Sequence, residues 1–263
     1  MNNPPFQLAL VTGATSGIGE ALARLFASLG INLILHGRNG EKLDFLKKEL
    51  EEQVKVTSIQ ADLSEVEERN LLLDLLRKMA PDLVINNAGA GLYGDILSHN
   101  TSDSSQLLDL NCSALLEITI EAARTLSSLG KKGVILNVSS TAAWPVFPGM
   151  AVYSATKAFV NQFSESFDAE VKPLGIRILS SCPGVVDTNF RKNAGGSDRK
   201  TSMEKANKMT AESAASEIWG QILKRKGLYL FNWPYRFLIF LVKYLLPKSL
   251  VASVLRKTVK QIQ

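Results

Sequence analysis

The chain has 263 residues, of which 46% are hydrophobic and 21% charged, and these proportions suit one globular domain with a large core. Its two cysteines, Cys112 and Cys182, are too few for a disulfide framework and stand in no metal-binding or redox motif, so a reducing cytoplasm is the expected compartment. The first residues show no basic leader followed by an apolar stretch, and we expect no signal peptide.

Charge is distributed unevenly along the chain. The net charge is +5, yet from Lys224 onward there are nine basic residues and no acidic ones. The other 21 basic and 25 acidic residues give the rest of the chain a net charge of −4. This pattern argues against a nucleic-acid surface on the main body and marks the C-terminal part as a separate question.

Short apolar runs alternate with helical patterns of apolar residues along most of the chain. In order, the patterns predict strand 8–11, helix 17–29, strand 31–35, helix 41–53, strand 54–59, helix 65–79, strand 83–85, helix 104–129, strand 133–138, helix 150–171 and strand 176–180. Continuous apolar strands are typical of a parallel sheet covered by helices on both faces. Repeated βαβ units then predict a doubly wound α/β sheet.

The expected organisation is one domain over residues 1–225 and an apolar, basic extension over residues 226–263. Within the domain, residues 188–208 are rich in turn formers and charge. This stretch is longer than an ordinary connection, so we expect it to be either functional or poorly ordered.

A glycine-rich turn follows the first predicted strand, with the sequence Thr12-Gly13-Ala14-Thr15-Ser16-Gly17-Ile18-Gly19. Small residues there let the backbone approach a pyrophosphate, and the N-terminus of the next helix offers free N–H groups. The alternative is a tight strand–helix turn that binds no ligand. Its position directly after the first strand favours the phosphate site.

The spacing Gly-x-x-x-Gly-x-Gly is followed by Asn86-Asn87-Ala88-Gly89, Asn111, Ser140 and Tyr153-x-x-x-Lys157. Together these motifs resemble the short-chain dehydrogenase/reductase family over about residues 7–190. The resemblance implies a single-domain Rossmann-like fold, a nicotinamide dinucleotide cofactor, and homodimers or homotetramers built on long helices. It also implies the catalytic set Asn111, Ser140, Tyr153 and Lys157, in which Asn111 binds a water that links Lys157 to solvent.

The Tyr-Lys pair can be understood from its chemistry. A tyrosine with an ordinary pKa of about 10 transfers protons poorly near neutrality. Lys157, one helical turn after Tyr153, is expected to place a positive charge near the phenol and to lower its pKa. Ser140 would hydrogen-bond the substrate oxygen. Structural alternatives are a helix or turn cap for Ser140, with Ser139 as its competitor, an amphipathic face for the Tyr-Lys pair, and a backbone-satisfying role for Asn111.

The end of the second strand bears on the choice of cofactor. His36-Gly37-Arg38 lacks the carboxylate that holds the ribose of NAD, whereas Arg38 could grip the 2′-phosphate of NADP(H). The alternatives are a solvated Arg38 and a helix-capping Asp62. The resemblance implies cofactor contacts by Gly13, Thr15, Ser16, Gly17, Ile18, Gly19, Arg38, Asp62, Leu63, Asn87, Ala88, Gly89, Tyr153, Lys157, Pro183, Gly184, Val186 and Thr188.

Three stretches are expected to border the substrate: residues 90–97, residues 141–150 and the loop after Thr188. They contribute the apolar side chains Leu92, Tyr93, Trp144, Phe147 and Met150. These residues favour a hydrophobic carbonyl or alcohol substrate. The alternative, equally weighted, is that they pack a lid or a subunit contact.

The C-terminal extension contains two apolar segments, 235–246 and 249–262. The uncharged core of the first, residues 237–242, is too short to cross a bilayer, for which about 20 residues are needed. The second places Leu250, Val251, Val254, Leu255 and Val259 opposite Ser253, Arg256, Lys257 and Lys260. Residues 227–263 could therefore contact an anionic membrane surface, cover the pocket or contact a partner subunit.

These features together predict an oxidoreductase that transfers a hydride between NADP(H) and a carbonyl or alcohol carbon, with Tyr153 as general acid and base and without a metal. It is expected in the cytoplasm or at a membrane surface, and without a nucleic-acid partner. The alternative is an NADP(H)-binding sensor or membrane-surface adaptor with little catalysis.

Overall fold

The computed structural model describes residues 4–196, 209–231 and 233–262. Seven parallel strands form one sheet in the order β3-β2-β1-β4-β5-β6-β7. They are β1 Leu8–Val11, β2 Asn32–Gly37, β3 Val56–Gln60, β4 Leu83–Asn86, β5 Gly133–Val138, β6 Ile176–Cys182 and β7 Leu228–Leu230. The order reverses between β1 and β4, which opens a crevice at the carboxyl ends of these strands. The predicted Rossmann-like, doubly wound sheet is confirmed.

Helices cover both faces of the sheet. They are α1 Gly17–Ser28, α2 Gly40–Leu50, α3 Val66–Met79, α4 Thr101–Leu108, α5 Leu115–Ser128, α6 Ala151–Val171, α7 Phe190–Asn193, α8 Ala211–Leu223, α9 Trp233–Tyr244 and α10 Lys248–Ile262. Alternate residues of β1 enter different cores: Ala9 and Val11 join one cluster, and Leu10 joins the other. This is the two-residue period expected of a strand buried on both faces.

The helix predicted over residues 104–129 begins earlier and is irregular. α4 and α5 are joined without a break by a π-helical turn, Asp109–Ala114. A π turn adds one residue to the helical repeat, and such turns often occur at functional sites. Here the wide turn carries Asn111.

The sequence patterns did not reveal β7. Its three residues, Leu228–Leu230, are too few to show a period, and they follow the basic Lys224–Lys226 stretch. β7 nevertheless pairs with β6, and Phe231 just after it is fully buried. The sheet therefore continues beyond the boundary expected at residue 225.

The remaining segments were predicted in outline. Both apolar C-terminal segments are helical, as α9 and α10. Within the described ranges, none of the helices is both long enough and apolar enough to cross a membrane. The stretch 188–208 contains the short helix α7, and its residues 197–208 lie outside the described residues.

Candidate active site

The glycine-rich turn between β1 and α1 leaves the first turn of α1 accessible. Gly13 and Gly17 have positive φ angles of 65° and 55°, and a Cβ at Gly19 would collide with the carbonyl oxygen of Gly13. Ser16 is the N-cap residue of α1, but its side chain makes no capping hydrogen bond. The N–H groups at this helix end are thus free of a side-chain cap, and they fit the pyrophosphate of a dinucleotide.

The loop after β4 is tied to this turn. Thr12 Oγ1 accepts hydrogen bonds from the backbone N–H groups of Asn87 and Ala88, each at 3.0 Å. Asn87 Nδ2 donates in return to the carbonyl oxygens of Thr12 at 3.0 Å and Gly13 at 3.2 Å. A Cβ at Gly89 would lie 3.1 Å from Asn111 Oδ1 and 3.5 Å from Lys157 Nζ. The predicted cofactor and catalytic residues therefore meet in one crevice.

His36 is a site residue that the sequence analysis did not single out. Its buried ring accepts a hydrogen bond from Gly13 N–H at Nδ1, at 3.3 Å, and donates from Nε2 to the carbonyl of Ala61, at 2.9 Å. Burial lowers the pKa of His36 to about 4, so the ring is neutral. The histidine links the glycine-rich turn to the end of β3. No sequence pattern signals this link, because the partners of His36 are more than twenty residues away on either side.

Arg38 and Asp62 face each other at the ends of β2 and β3. Arg38 Nη1 lies 3.3 Å from Asp62 Oδ2, and the Arg38 side chain is 66% exposed. Asp62 Oδ1 accepts hydrogen bonds from the backbone N–H and the hydroxyl of Ser64, whereas α3 begins only at Val66. Asp62 thus closes the turn before α3 and does not cap that helix. The Leu63 side chain is buried in the core, so only its backbone is available to a ligand.

Ser140 and Tyr153 lie close together. Ser140 follows β5, and its hydroxyl is close enough to the Tyr153 phenol to oppose the rise of the Tyr153 pKa. Ser140 Oγ also accepts a hydrogen bond from Ala142 N–H at 3.1 Å, so the turn-capping role considered for it is present as well. Its competitor Ser139 is directed away, because its hydroxyl donates to the carbonyl of Lys157 at 3.0 Å. Ser140 is therefore the serine that faces the tyrosine.

The pKa expected for Tyr153 differs from the one that the fold produces. Burial raises the pKa of the phenol well above its ordinary value, and the nearby Ser140 hydroxyl opposes this rise. Lys157 Nζ donates to the carbonyl of Val138 at 2.9 Å and lies 5.8 Å from the centroid of the Tyr153 ring. Burial also lowers the pKa of Lys157 to about 8. The chain alone thus disfavours the phenolate, contrary to the expectation, because the phenol is desolvated and the Lys157 ammonium is directed to the Val138 carbonyl.

Asn111 holds the π turn against the loop after β4. Its Oδ1 accepts from Ala90 N–H at 3.0 Å, and its Nδ2 donates to the Ala90 carbonyl at 2.9 Å and to Thr156 Oγ1 at 3.1 Å. The alternative considered for Asn111, that it satisfies buried backbone in an irregular helix, describes these contacts. The same contacts place it beside Gly89 and α6, which carries Tyr153 and Lys157.

The segment after β6 lies beside the glycine-rich turn. The carbonyl of Pro183 accepts from Thr141 N–H at 3.1 Å, next to Ser140. A Cβ at Gly17 would lie only 2.8 Å from the Thr188 methyl group. The fold therefore brings the predicted Pro183, Gly184, Val186 and Thr188 to the same crevice.

An apolar cluster surrounds Tyr153 on the outer side of the crevice. Four of the predicted pocket residues belong to it: Leu92, Tyr93, Phe147 and Met150. Trp144 does not belong to it, and at the far end of the stretch 90–97, Leu97 points to solvent. Phe190 of α7 was not named in advance but lies in the stretch after Thr188 that was expected to border the substrate, and its ring centroid lies 5.6 Å from that of Tyr153. The cluster gives Tyr153 apolar neighbours from three separate segments.

A parallel sheet with this glycine-rich turn, and a Tyr-Lys helix across the crevice, defines a nucleotide-dependent oxidoreductase. Comparison with known proteins identifies the family. The family model of the short chain dehydrogenases matches residues 7–198, so the chain belongs to the short-chain dehydrogenase/reductase family, whose members act on alcohol and carbonyl groups.

Three relatives illustrate the similarity. The sulfoacetaldehyde reductase of Chromohalobacter salexigens is 34% identical over 220 residues, which cover 80% of this chain and 85% of the relative. A short-chain dehydrogenase from Sphingobium yanoikuyae, solved in complex with NADPH, has a TM-score of 0.80 and 28% identity, with 89% of this chain and 92% of that chain covered. The bulky-bulky ketone specific alcohol dehydrogenase from Comamonas testosteroni has a TM-score of 0.77 and 25% identity, with coverages of 98% and 95%.

Proposed function

We propose that this protein reduces a hydrophobic carbonyl compound with NADPH, or catalyses the reverse oxidation, with Tyr153 as general acid and base. The observation that carries the proposal is the buried pair Tyr153 and Lys157, one helical turn apart on α6, with Lys157 Nζ beside Gly89 of the cofactor crevice. The NADPH complex of the Sphingobium yanoikuyae relative supports the choice of cofactor.

The nicotinamide supplies or accepts a hydride at the carbonyl carbon when it is bound. In the reduction, Tyr153 donates its phenolic proton to the carbonyl oxygen, and Ser140 holds that oxygen by a hydrogen bond. The positive charge of Lys157 stabilises the phenolate that remains. Both amide hydrogens of Asn111 are engaged in hydrogen bonds. The proposed water that links Lys157 to solvent would therefore donate a hydrogen bond to an oxygen of Asn111.

The preference for NADP(H) rests on Arg38. Its exposed guanidinium stands at the end of β2, where the sequence offers no carboxylate to hold a ribose hydroxyl. A 2′-phosphate would replace Asp62 as the partner of Arg38 and form charge-assisted hydrogen bonds. We also propose that the other predicted contact residues, from the glycine-rich turn to Thr188, bind this cofactor.

The substrate class follows from the cluster around Tyr153. Its lining is apolar and aromatic, which fits a bulky ketone like those named for the Comamonas testosteroni enzyme. Sulfoacetaldehyde, named for the Chromohalobacter salexigens relative, is small and anionic. Arg191 beside Tyr93 offers it a cation, but its short chain would leave most of the apolar lining uncovered. We therefore place hydrophobic ketones ahead of sulfonated aldehydes.

NADPH oxidation by the purified protein tests the proposal, with bulky ketones and sulfoacetaldehyde compared as substrates. We expect turnover of a bulky ketone, a loss of at least a thousandfold in kcat for Tyr153→Phe, and unchanged NADPH binding by that variant. Arg38→Ala should raise KM for NADPH at least tenfold and leave KM for NADH nearly unchanged. NADPH binding without turnover of any of these substrates would instead favour the sensor or adaptor alternative.

We also propose an oligomeric state and a boundary between the domain and the C-terminal extension. A homodimer or homotetramer in the cytoplasm is the expected form. Because β7 belongs to the sheet, we place the start of the C-terminal extension after Phe231 and not at residue 226. For this extension, contact with a membrane surface is preferred to a lid or a subunit contact.

A further inference from the structure

The two C-terminal helices expose large apolar side chains. Six of them, each between 51% and 64% exposed, form what we call the tail apolar face: Phe237, Phe240, Tyr244, Leu245, Leu250 and Val254. Isolated exposed apolar residues are common on soluble proteins, but six within eighteen residues form a patch. Such patches mark surfaces that contact another phase or molecule.

The arrangement of this face follows from helical geometry. Phe237, Phe240 and Tyr244 are spaced so that they share one side of α9, and the rings of Phe240 and Tyr244 are 5.4 Å apart. Ile239 and Val251 are buried, at 7% and 8% exposure. Each helix therefore turns one edge toward the protein and another outward. The apolar stripe predicted for the second segment is divided, with Val251 inside and Leu250 and Val254 outside.

Basic side chains alternate in the sequence with the residues of the tail apolar face. The exposed ones are Arg236, Lys243, Lys248, Arg256 and Lys257, and no acidic residue follows Glu217. Lys243 Nζ lies 5.2 Å from the ring centroid of Tyr244, so charge and aromatic surface adjoin. Aromatic and aliphatic side chains beside cations alone fit an anionic bilayer surface. A second copy of the chain would bring an equally positive tail, and the two would repel.

The position of the tail relates it to the active site. β7 runs parallel to β6, so it ends at the carboxyl edge of the sheet, where Ser140 and the segment after β6 also lie. Phe231 N–H donates to the carbonyl of Cys182, and Arg236 Nε donates to the carbonyl of Leu230 at 2.9 Å. The tail thus leaves the sheet at its catalytic edge.

We propose that residues 233–262 lie in the plane of an anionic membrane, with the tail apolar face inserted between lipid headgroups. This attachment holds the catalytic edge of the sheet next to the bilayer, so that the enzyme takes its carbonyl substrate from the lipid phase. Uptake of the substrate from the lipid phase rests on the proposed reductase function, whereas the membrane attachment is independent of it.

Cosedimentation of the full chain with vesicles tests the attachment. We expect binding to vesicles of phosphatidylcholine with 30% phosphatidylglycerol, at least tenfold stronger than to phosphatidylcholine alone. Phe240→Ser combined with Leu250→Ser should weaken the binding at least tenfold. Phe45→Ser is the matched control, because Phe45 is 70% exposed on α2, and it should bind like the wild type.

Charge reversal provides a second comparison. Lys243→Glu combined with Arg256→Glu should also weaken binding at least tenfold, whereas Lys42→Glu combined with Lys48→Glu on α2 should not. Equal binding by all variants, or none by the wild type, would overturn the attachment. A second result would also overturn it: no vesicle binding by the wild type, together with a lower molar mass in light scattering for Phe240→Ser/Leu250→Ser than for the wild type. The tail apolar face would then join two copies of the chain.

Delivery of the substrate from the lipid phase is tested by comparing two ketones. The variant Phe240→Ser/Leu250→Ser should reduce a bilayer-dissolved long-chain ketone at least tenfold more slowly than the wild type, at an unchanged rate on a water-soluble ketone. Tyr153→Phe should bind vesicles like the wild type while reducing neither ketone. If the variant loses vesicle binding but reduces both ketones as fast as the wild type, delivery from the lipid phase is refuted. If the wild type binds vesicles but reduces no ketone, only the reductase function is refuted.

Discussion

Tyr153 and Lys157 are both buried, and burial disfavours the charged form of each. The phenol has a raised pKa and the ammonium has a pKa lowered to about 8, although they lie on the same helix. The fold thus holds the pair in a state that resists ionisation. A bound oxidised nicotinamide would add positive charge near the phenol and so favour the phenolate.

The lowered pKa of Lys157 predicts a pH-dependent stability. Its pKa is about 8 in the folded chain and 10.5 ordinarily, a difference worth about 3 kcal/mol. Below pH 8 both states are protonated and the penalty is fully present. As pH rises from 8 to 10.5 the folded state releases the proton first, so stability rises. Urea unfolding between pH 7 and 10 should show the wild type gaining up to about 3 kcal/mol relative to Lys157→Met.

The loss of the hydrogen bond to Val138 in Lys157→Met does not change this slope, because the carbonyl does not titrate. Lys131→Met is the control, since Lys131 is exposed after α5. Its stability should follow the wild type at every pH. Parallel curves for wild type and Lys157→Met would contradict the buried ammonium.

Single residues differ in how well the sequence predicts their place. Ser140, Tyr153 and Lys157 could be predicted because their spacing is local and their chemistry is unusual. His36 could not, because it enters the site through contacts with residues distant in the sequence, and for Phe190 only its stretch after Thr188 was expected at the substrate. The direction of the pKa change at Tyr153 was missed because spacing shows a neighbouring charge but not the loss of solvent.

At the scale of elements, the long strands and helices follow from apolar periodicity, and two features do not. β7 is too short to show a period, and the π turn adds a residue that no pattern of apolar positions marks. The ion pair between α3 and α5 is a third element-level feature. Arg69 is buried and binds both carboxylate oxygens of Glu117, at 2.7 and 3.0 Å, and the carbonyl of Leu63 at 2.8 Å.

This ion pair predicts an unequal response to two arginine substitutions. Arg69→Leu should lower the free energy of unfolding by about 3 kcal/mol, because it leaves Glu117 and the Leu63 carbonyl without their partner. Arg124→Leu removes an exposed guanidinium from Glu121 on α5 and leaves Arg77 as a partner of that carboxylate, so it should change the free energy by less than about 0.5 kcal/mol. Urea denaturation at pH 7 measures both. Equal effects would show that the α3–α5 contact does not depend on Arg69.

For the whole molecule, the seventh strand determines where the chain can be shortened. A chain that ends at Lys226 loses β7 and the fully buried Phe231, whereas one that ends at Asn232 keeps both. The shorter chain should lose several kcal/mol of stability and aggregate, since burial of one phenylalanine alone is worth about 1.5–3 kcal/mol. The longer one should keep a cooperative unfolding transition and the NADPH affinity of the full chain, and lose only the helical circular dichroism signal of α9 and α10. Comparable stability of the two truncations would remove β7 from the domain.

Because no acidic residue follows Glu217, charge can orient the molecule before it touches a membrane surface. With nine positive charges at one end and a net charge of −4 on the remainder, the molecule carries a large electric dipole moment. Near a negatively charged plane, within a Debye length of about 10 Å at 0.1 M salt, that dipole experiences a torque. The torque turns the C-terminal end toward the plane, so successful encounters begin in the docking orientation and become rarer as salt is added.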